Sequence, residues 1–292
     1  MRRTGALLKV VFEEGSAGYC DCHPWVELGD ASLSDQLSLL KQGKTTPLTS
    51  RSLEFAKLDA EARQKGVHLF ANLKSPKNHL LVYDFDAWKG DPSFSVLKLK
   101  VGKETPFQQL EHLFHTSSKK IRLDANRKFD YEQCREFLKR IAPWHSRIDL
   151  FEDPIPYDPT TWKALQDEFS IPLALDHHSE RYLGKENPHR ISIVKAAVQN
   201  LEPFQNDDRK LVFTSYLDHP IGQLSALYAA SKTYSQFPEK TERCGLITHV
   251  VYAPNAFSER LQIREERLVP PTDGTGFGFD DLLEKIPWEL LC

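Results

Sequence analysis

Residues 94–101 read Phe94-Ser95-Val96-Leu97-Lys98-Leu99-Lys100-Val101, and the fold turns on this run. In an extended strand, Val96, Lys98 and Lys100 share one face, while Leu97, Leu99 and Val101 share the other. The apolar face suits a covering layer of helices. The lysine face then points into the interior of a sheet, near the end of its strand. Taken alone, the run also fits an edge strand, which commonly carries lysine.

The surrounding chain decides between the two. From about residue 79, short apolar runs alternate with helix-like stretches. The runs are His79–Tyr83, Phe94–Val101, Lys120–Asn126, Ile148–Glu152, Pro172–Asp176, Ile191–Lys195, Lys210–Leu217 and Gly245–Tyr252. Between them lie amphipathic stretches at Pro106–Phe114, Tyr131–Ile141, Pro159–Phe169 and Pro220–Tyr234. Strands alternating with helices predict an α/β barrel. A doubly wound Rossmann sheet is the rival, but no G-x-G-x-x-G follows a first strand.

Upstream, Ala6–Phe12 reads as a strand ending in a tight turn at Glu13-Glu14-Gly15. Leu33–Leu40 and Leu53–Lys65 read as helices, with Ser32 and Ser50 near their starts as caps. Gly274, Gly276 and Gly278 read as part of a C-terminal strand packing on this α+β region, since no lysine or helix start follows to make a phosphate cradle. The expected division is a capping domain of residues 1–78 plus 258–292 and a barrel of residues 79–257.

The spacing is tight. Eight runs between 79 and 252 leave roughly 22 residues per unit, against about 31 in a typical barrel. Only fourteen residues separate Lys195 from Lys210. A helix with two loops hardly fits there, so a break in the chain between 196 and 209 is expected.

Composition narrows the class. The 292 residues are 40% hydrophobic and 27% charged, which excludes a disordered or collagen-like chain. Lysine plus arginine number 38 against 41 acids, so the formal net charge is -3 and nucleic acid is not an expected partner. No stretch approaches the roughly 20 apolar residues of a spanning helix, so no membrane partner is expected. No signal peptide is legible around Met1–Phe12. The five cysteines are irregularly spaced and predict a reducing, cytoplasmic setting. Cys20-Asp21-Cys22-His23 has no second Cys/His pair nearby, which argues against zinc.

The strand ends carry the chemistry. Asp124 and Asn126 share a face, Glu152 is in phase with Leu150, and Asp176 is in phase with Ala174. Lys195 ends the next run. Around a barrel mouth the order is therefore Lys, Asp, Glu, Asp, Lys. Three carboxylates placed together raise one another's pKa, and a hard divalent cation relieves them. An all-oxygen ligand set suits Mg²⁺, with Mn²⁺ as a substitute. A lysine beside such a cation has the makings of a general base, and the chemistry implied is proton abstraction next to a carboxylate. Each residue also has a plainer reading. Asp124 and Asn126 alone suit a turn before Tyr131, Glu152 suits a loop acid before Pro154, and Asp176 suits a helix cap. His177 and His178 suit a solvated pair in a loop. The register of all three acids with the lysines favours the site.

Four segments together resemble the enolase superfamily, within its muconate lactonising subgroup, and above all the o-succinylbenzoate synthase family. They are Lys98-Leu99-Lys100-Val101-Gly102, Arg122-Leu123-Asp124-Ala125-Asn126-Arg127, Phe151-Glu152-Asp153-Pro154 and Ala174-Leu175-Asp176. The resemblance covers roughly residues 94–252. It implies a modified TIM barrel, (β/α)7β, with a capping domain formed from the two chain ends. It implies Asp124, Glu152 and Asp176 as Mg²⁺ ligands and Lys100 as general base and then acid. Lys195 would stabilise the enediolate and Lys98 would modulate Lys100. Thr214, Ser215 and Asn126 would contact a small-molecule carboxylate substrate. The implied reaction is a syn dehydration of a cyclohexadiene carboxylate to an aromatic ring, in menaquinone synthesis. A racemase or epimerase of the same subgroup, acting on N-acylamino acids or dipeptides, is the alternative; a catalytically silent metal-binding homologue is another. Against the family pattern, His177-His178 replaces an acidic neighbour and Ala196 replaces a proline. The chain is also expected to lack the first capping strand and the loop that closes over substrate.

Overall fold

The computed structural model describes residues 2–82 and 93–291. In chain order the elements are β1 (Ala6–Val11), β2 (Ala17–Cys22), α1 (Leu33–Lys41), α2 (Pro47–Gln64), β3 (Leu80–Val82), β4 (Val96–Lys100), α3 (Phe107–Thr116), β5 (Lys120–Asp124), α4 (Tyr131–Arg140) and β6 (Ile148–Glu152). There follow α5 (Pro159–Phe169), β7 (Leu173–Leu175), β8 (Ile191–Lys195), α6 (Glu202–Gln205), β9 (Lys210–Thr214), α7 (Pro220–Gln236), β10 (Gln262–Arg264), β11 (Arg267–Val269) and α8 (Asp280–Leu283). Two compact units result. One holds Met1–Lys77, Lys195–Glu202 and Phe213–Cys292, and the other holds Asn78–Val194 and Pro203–Val212. By packing, then, residues 213–257 group with the two chain ends.

A seven-stranded sheet runs in the order β3-β4-β5-β6-β7-β8-β9. Neighbours from β3 to β8 pair in parallel. Parallel neighbours need a crossover, and α3, α4 and α5 supply it after β4, β5 and β6. This is the modified α/β barrel architecture expected from the alternating runs. The last predicted run departs from expectation. Among the described residues, 245–252 forms no strand: Gly245 makes one isolated parallel bridge to Thr214, and His249–Val251 is a 3-10 turn. Of the first predicted run, Leu80–Val82 is a strand, while Tyr83 lies outside the described residues.

The faces of the strands follow the period-2 reading. Leu97, Leu99, Ile121, Leu123, Phe151, Leu173 and Leu175 pack with Leu110 and Leu113 of α3, Phe137 and Leu138 of α4, and Trp162 and Leu165 of α5. Burying each such side chain contributes about 1.5–3 kcal/mol. The intervening positions Leu150, Ala174, Ile191, Ile193 and Val212 form a second, separate cluster. Asp130 caps α4 through a reciprocal box with Gln133, and Asp158 caps α5 ahead of Pro159.

The expected chain break between 196 and 209 is not there. The N–H groups of Val198 and Gln199 both donate to the Lys195 carbonyl at 3.0 Å, and α6 follows at once. A turn springing directly from the strand end, plus one helical turn, spans what a full helix usually spans. Crossing from β7 to β8 is equally brief, with a 3-10 turn at Ser179–Tyr182.

In the other unit, β1 and β2 form an antiparallel hairpin, with Ala6 opposite Cys22 and Val11 opposite Ala17. The strand read at Ala6–Phe12 is β1, and it pairs with a second strand, β2, that the sequence reading did not include. Gly18, Asp21 and two cysteines hid β2, because they break the Val/Ile texture of a strand. Ser32 caps α1 as expected. Helix α2 starts six residues before the predicted Leu53, because Pro47 occupies its first turn and Thr46 and Thr49 make a capping box; Ser50 lies inside it. The Gly274–Gly278 segment is a turn rather than a strand. Gly276 has φ of 58°, and a Cβ there would lie 2.0 Å from Asp59 Oδ1. Buried Asp59 accepts from the N–H groups of Tyr19 and Phe277 and from Arg63 Nε. Cys20, Cys22, Cys134 and Cys244 are buried and form no disulfide. No helix among the described residues is long and apolar enough to cross a membrane.

Candidate active site

Register alone aligns the charged strand ends. Lys100 lies opposite Asp124, and Asp124 lies opposite Glu152. All three are at the C-terminal end of their strands, with side chains on one face. The Lys98 ammonium lies 2.8 and 2.7 Å from the two Glu152 oxygens and 2.9 Å from Asp124 Oδ2. Lys100 Nζ donates to the same Asp124 oxygen at 2.6 Å. Lys98, Asp124 and Glu152 are 7%, 1% and 3% exposed, whereas the Lys100 side chain is 49% exposed. The inner lysine is thus walled in by carboxylates, and the outer one reaches solvent.

The charges push one another in opposite directions. Burial raises the Asp124 pKa, but the Lys98 and Lys100 ammoniums outweigh it and hold the group well below the carboxylate range. Glu152 goes the other way, pushed up by burial and then by the Asp124 charge beside it. Lys98 loses by burial and gains more from Asp124 and Glu152, so it stays charged. Below this layer Arg122, buried on β5, donates to Asp149 Oδ2 at 2.6 Å and lies 3.2 Å from His79 Nδ1. Burial, with the Arg122 and Lys98 charges, pushes His79 well below its ordinary value, so its ring is neutral.

Asp176 sits just past β7, half-buried. Ala174 is the register partner of Glu152, so Asp176 stands two residues further along. The neighbouring Asp153 holds that segment: its Oδ1 accepts from the Asp176 N–H at 3.0 Å and its Oδ2 from the His177 N–H at 3.2 Å. Asp153 is in the left-handed region, φ 43°, and its pKa is pushed up to about 6 by burial and by the Asp176 charge. The His177 and His178 ring centroids lie 3.9 Å apart, tilted at 51°, and both residues are partly exposed, as a loop pair would be.

These residues suit a hard divalent cation by chemistry. The donors are all carboxylate oxygens, and Glu152 and Asp153 are both pushed up, by burial first and then by the neighbouring acid charges. No three His, Cys, Asp or Glu side chains among the described residues stand as a ready ligand group. The reason is Lys98, onto which Asp124 and Glu152 are both turned.

Asn126 is exposed, with φ 44°, and contributes its N–H to Asp124 Oδ1 at 3.1 Å. Lys195, Thr214 and Ser215 fall in the other compact unit. The Lys195 N–H donates to Gln199 Oε1. Ser215 is buried, with its hydroxyl 2.5 Å from that of Thr248.

A family model described as O-succinylbenzoate synthase, N-terminal domain, matches residues 1–62. An o-succinylbenzoate synthase of Bdellovibrio bacteriovorus is 31% identical over 304 aligned positions, which cover 98% of this chain and 91% of that protein. The chain belongs to the o-succinylbenzoate synthase family. A mandelate racemase/muconate lactonizing enzyme from Roseiflexus sp. shares the fold of this family member with a TM-score of 0.75 at 13% identity, covering 94% of this chain and 96% of that one. A dipeptide epimerase from Methylococcus capsulatus, solved with Mg and the dipeptide L-Arg-D-Lys, superposes with a TM-score of 0.72 at 16% identity, covering 93% and 90%. At those identities the likeness shows the fold alone. Within the o-succinylbenzoate synthase family frame, sequence reasoning missed Asp153 as the holder of the Asp176 segment and Thr248 as the partner of Ser215. Asn126, Arg127 and Asp153 after β5 and β6 are left-handed, a conformation that Asn and Asp tolerate better than other non-glycine residues and that nothing in Arg127 signals.

Proposed function

We propose that this chain is a carbon–oxygen lyase that dehydrates 2-succinyl-6-hydroxy-2,4-cyclohexadiene-1-carboxylate to o-succinylbenzoate, a cytoplasmic step of menaquinone biosynthesis. The observation that supports this most is the strand-end cluster of Lys98, Lys100, Asp124 and Glu152 in a chain alignable over nearly its full length with an o-succinylbenzoate synthase.

Asp124, Glu152 and Asp176 would hold Mg²⁺, or Mn²⁺ in its place. When bound, the ion supplies positive charge for the substrate carboxylate as its α-proton leaves. Lys100, acting from its neutral amine form, takes that proton on Nζ and becomes the ammonium, for which its half-open position suits it. The electron pair of the broken C–H bond moves toward the carboxylate. Lys100 then returns the proton to the departing hydroxyl, so C–O cleavage releases water and the ring becomes aromatic. Lys98 holds the Asp124 and Glu152 carboxylates in place through its ammonium. Lys195 is proposed to stabilise the negative charge of the intermediate, and Asn126, Thr214 and Ser215 to contact the substrate.

The test is product formation. Incubation with the cyclohexadiene carboxylate and Mg²⁺ should give loss of water and an aromatic absorbance change. α-Deuterium uptake in D₂O by an N-acylamino acid or dipeptide, without dehydration of the diene, would replace this reading with the epimerase one.

A further inference from the structure

Arg3 makes an arrangement that the reaction chemistry does not require and that packing alone does not explain. Its Nη2 donates to the carbonyls of His23 and Pro24 at 3.0 and 2.8 Å. Its Nη1 donates to the carbonyls of Tyr216 and Leu217, the latter at 2.8 Å. The guanidinium also lies 4.6 Å from the Trp25 ring centroid and 5.7 Å from that of Tyr216. Those two rings meet edge-on at 5.6 Å. The Leu217 carbonyl takes a second donor, the Tyr252 hydroxyl, at 2.8 Å, and Leu217 itself is left-handed with φ of 50°.

One planar fork thus joins two loops of the same compact unit: the segment leaving β2 and the segment leaving β9. The second begins at Thr214–Ser215. A guanidinium presents donors in fixed directions, so four carbonyls on it are held in one relative position. A lysine has no such fork. An unusual backbone conformation at Leu217, held by two donors on one carbonyl, marks a loop whose shape is imposed from outside it.

We propose that Arg3 is a positioning residue that sets the shape of the Thr214–Leu217 loop by clamping it to residues 23–25, and so governs substrate affinity. The proposal rests on the reading of Thr214 and Ser215 as substrate contacts. Removing the fork frees the loop without touching the strand-end lysines, so binding suffers before chemistry does.

The experiment compares wild type, Arg3→Ala, Arg3→Lys and the neighbouring exposed Arg2→Ala by steady-state kinetics on the cyclohexadiene carboxylate and by amide hydrogen exchange. Arg3→Ala should raise KM about tenfold or more with a much smaller change in kcat. Exchange should quicken in peptides spanning 23–28 and 214–219 and stay unchanged elsewhere. Arg3→Lys should fall between, added guanidinium should partly restore Arg3→Ala, and Arg2→Ala should match wild type. If Arg3→Ala does not fold, Tyr252→Phe, which removes the other donor on Leu217, should shift KM and the 214–219 exchange in the same direction. Unchanged exchange overturns the clamp. Quickened exchange with an unchanged KM overturns its link to substrate. A wild type that leaves this substrate untouched would instead sink the dehydratase reading, while the exchange data would still decide the clamp.

Discussion

Lys98 and Glu152 lie 54 positions apart in sequence, and the ammonium of one is within 2.8 Å of both carboxylate oxygens of the other. Both are almost wholly buried. Removing one member of such a pair leaves an uncompensated charge in the interior. Lys98→Met should therefore lower stability by about 3–5 kcal/mol. Urea unfolding followed by circular dichroism measures this; a shift under about 1 kcal/mol would show that Asp124 and Glu152 do not need that lysine.

Lys100 shares Asp124 with Lys98 but is half open to solvent. Lys100→Ala should cut turnover by at least about 10²–10⁴-fold while Mg²⁺ binding, followed by calorimetry, remains. Turnover near the wild-type rate would remove Lys100 as the base.

Asp153 acts on Asp176 through the backbone, accepting both the Asp176 and the His177 N–H. Asp153→Ala should raise the Mg²⁺ concentration needed for half-maximal activity by about 10–100-fold, with smaller loss at saturating metal. Chelation should abolish wild-type activity and added Mg²⁺ or Mn²⁺ restore it. An Asp153→Ala enzyme with wild-type metal demand would separate this carboxylate from the site.

Asp218 is buried in the unit that holds β2 and α7, and its pKa is pushed up to about 7 by burial and then by the Asp21 charge. A carboxyl whose folded pKa exceeds its unfolded value stabilises the fold below the unfolded pKa. That contribution is lost as pH rises through the folded pKa, here between about pH 4 and pH 7. Wild-type stability should therefore carry a downward component over that window, at most about 1.4 kcal/mol per pH unit. Asp218→Asn should be free of it. Urea midpoints taken from pH 4 to 8 that run parallel for the two proteins would contradict the assignment.

Much of the cluster was legible because parallel register is simple. Strands paired in order bring their ends close to level, and a one-residue register shift between Ile121 and Arg122 puts Asp124 opposite Glu152, so Lys100, Asp124 and Glu152 share a row. The same argument placed the outward leucines against α3, α4 and α5. It failed at the eighth run, where the apolar residues 245–252 are spent on a bridge and a 3-10 turn. It failed at β2 too, which lacks strand texture and is held by pairing with β1 and packing on α2.

By itself, the sequence determined the alternation of strands and helices, the inward lysines and acids, and the family motifs. Those depend on period and spacing, which are local. Only the tertiary structure decided that Lys98 bridges Asp124 and Glu152, that Asp153 carries the Asp176 backbone, and that Arg3 joins residues 23–25 to 216–217. Each of these joins residues twenty or more positions apart through directed hydrogen bonds. Their partners are selected by where the chain passes in space, and no local pattern records that.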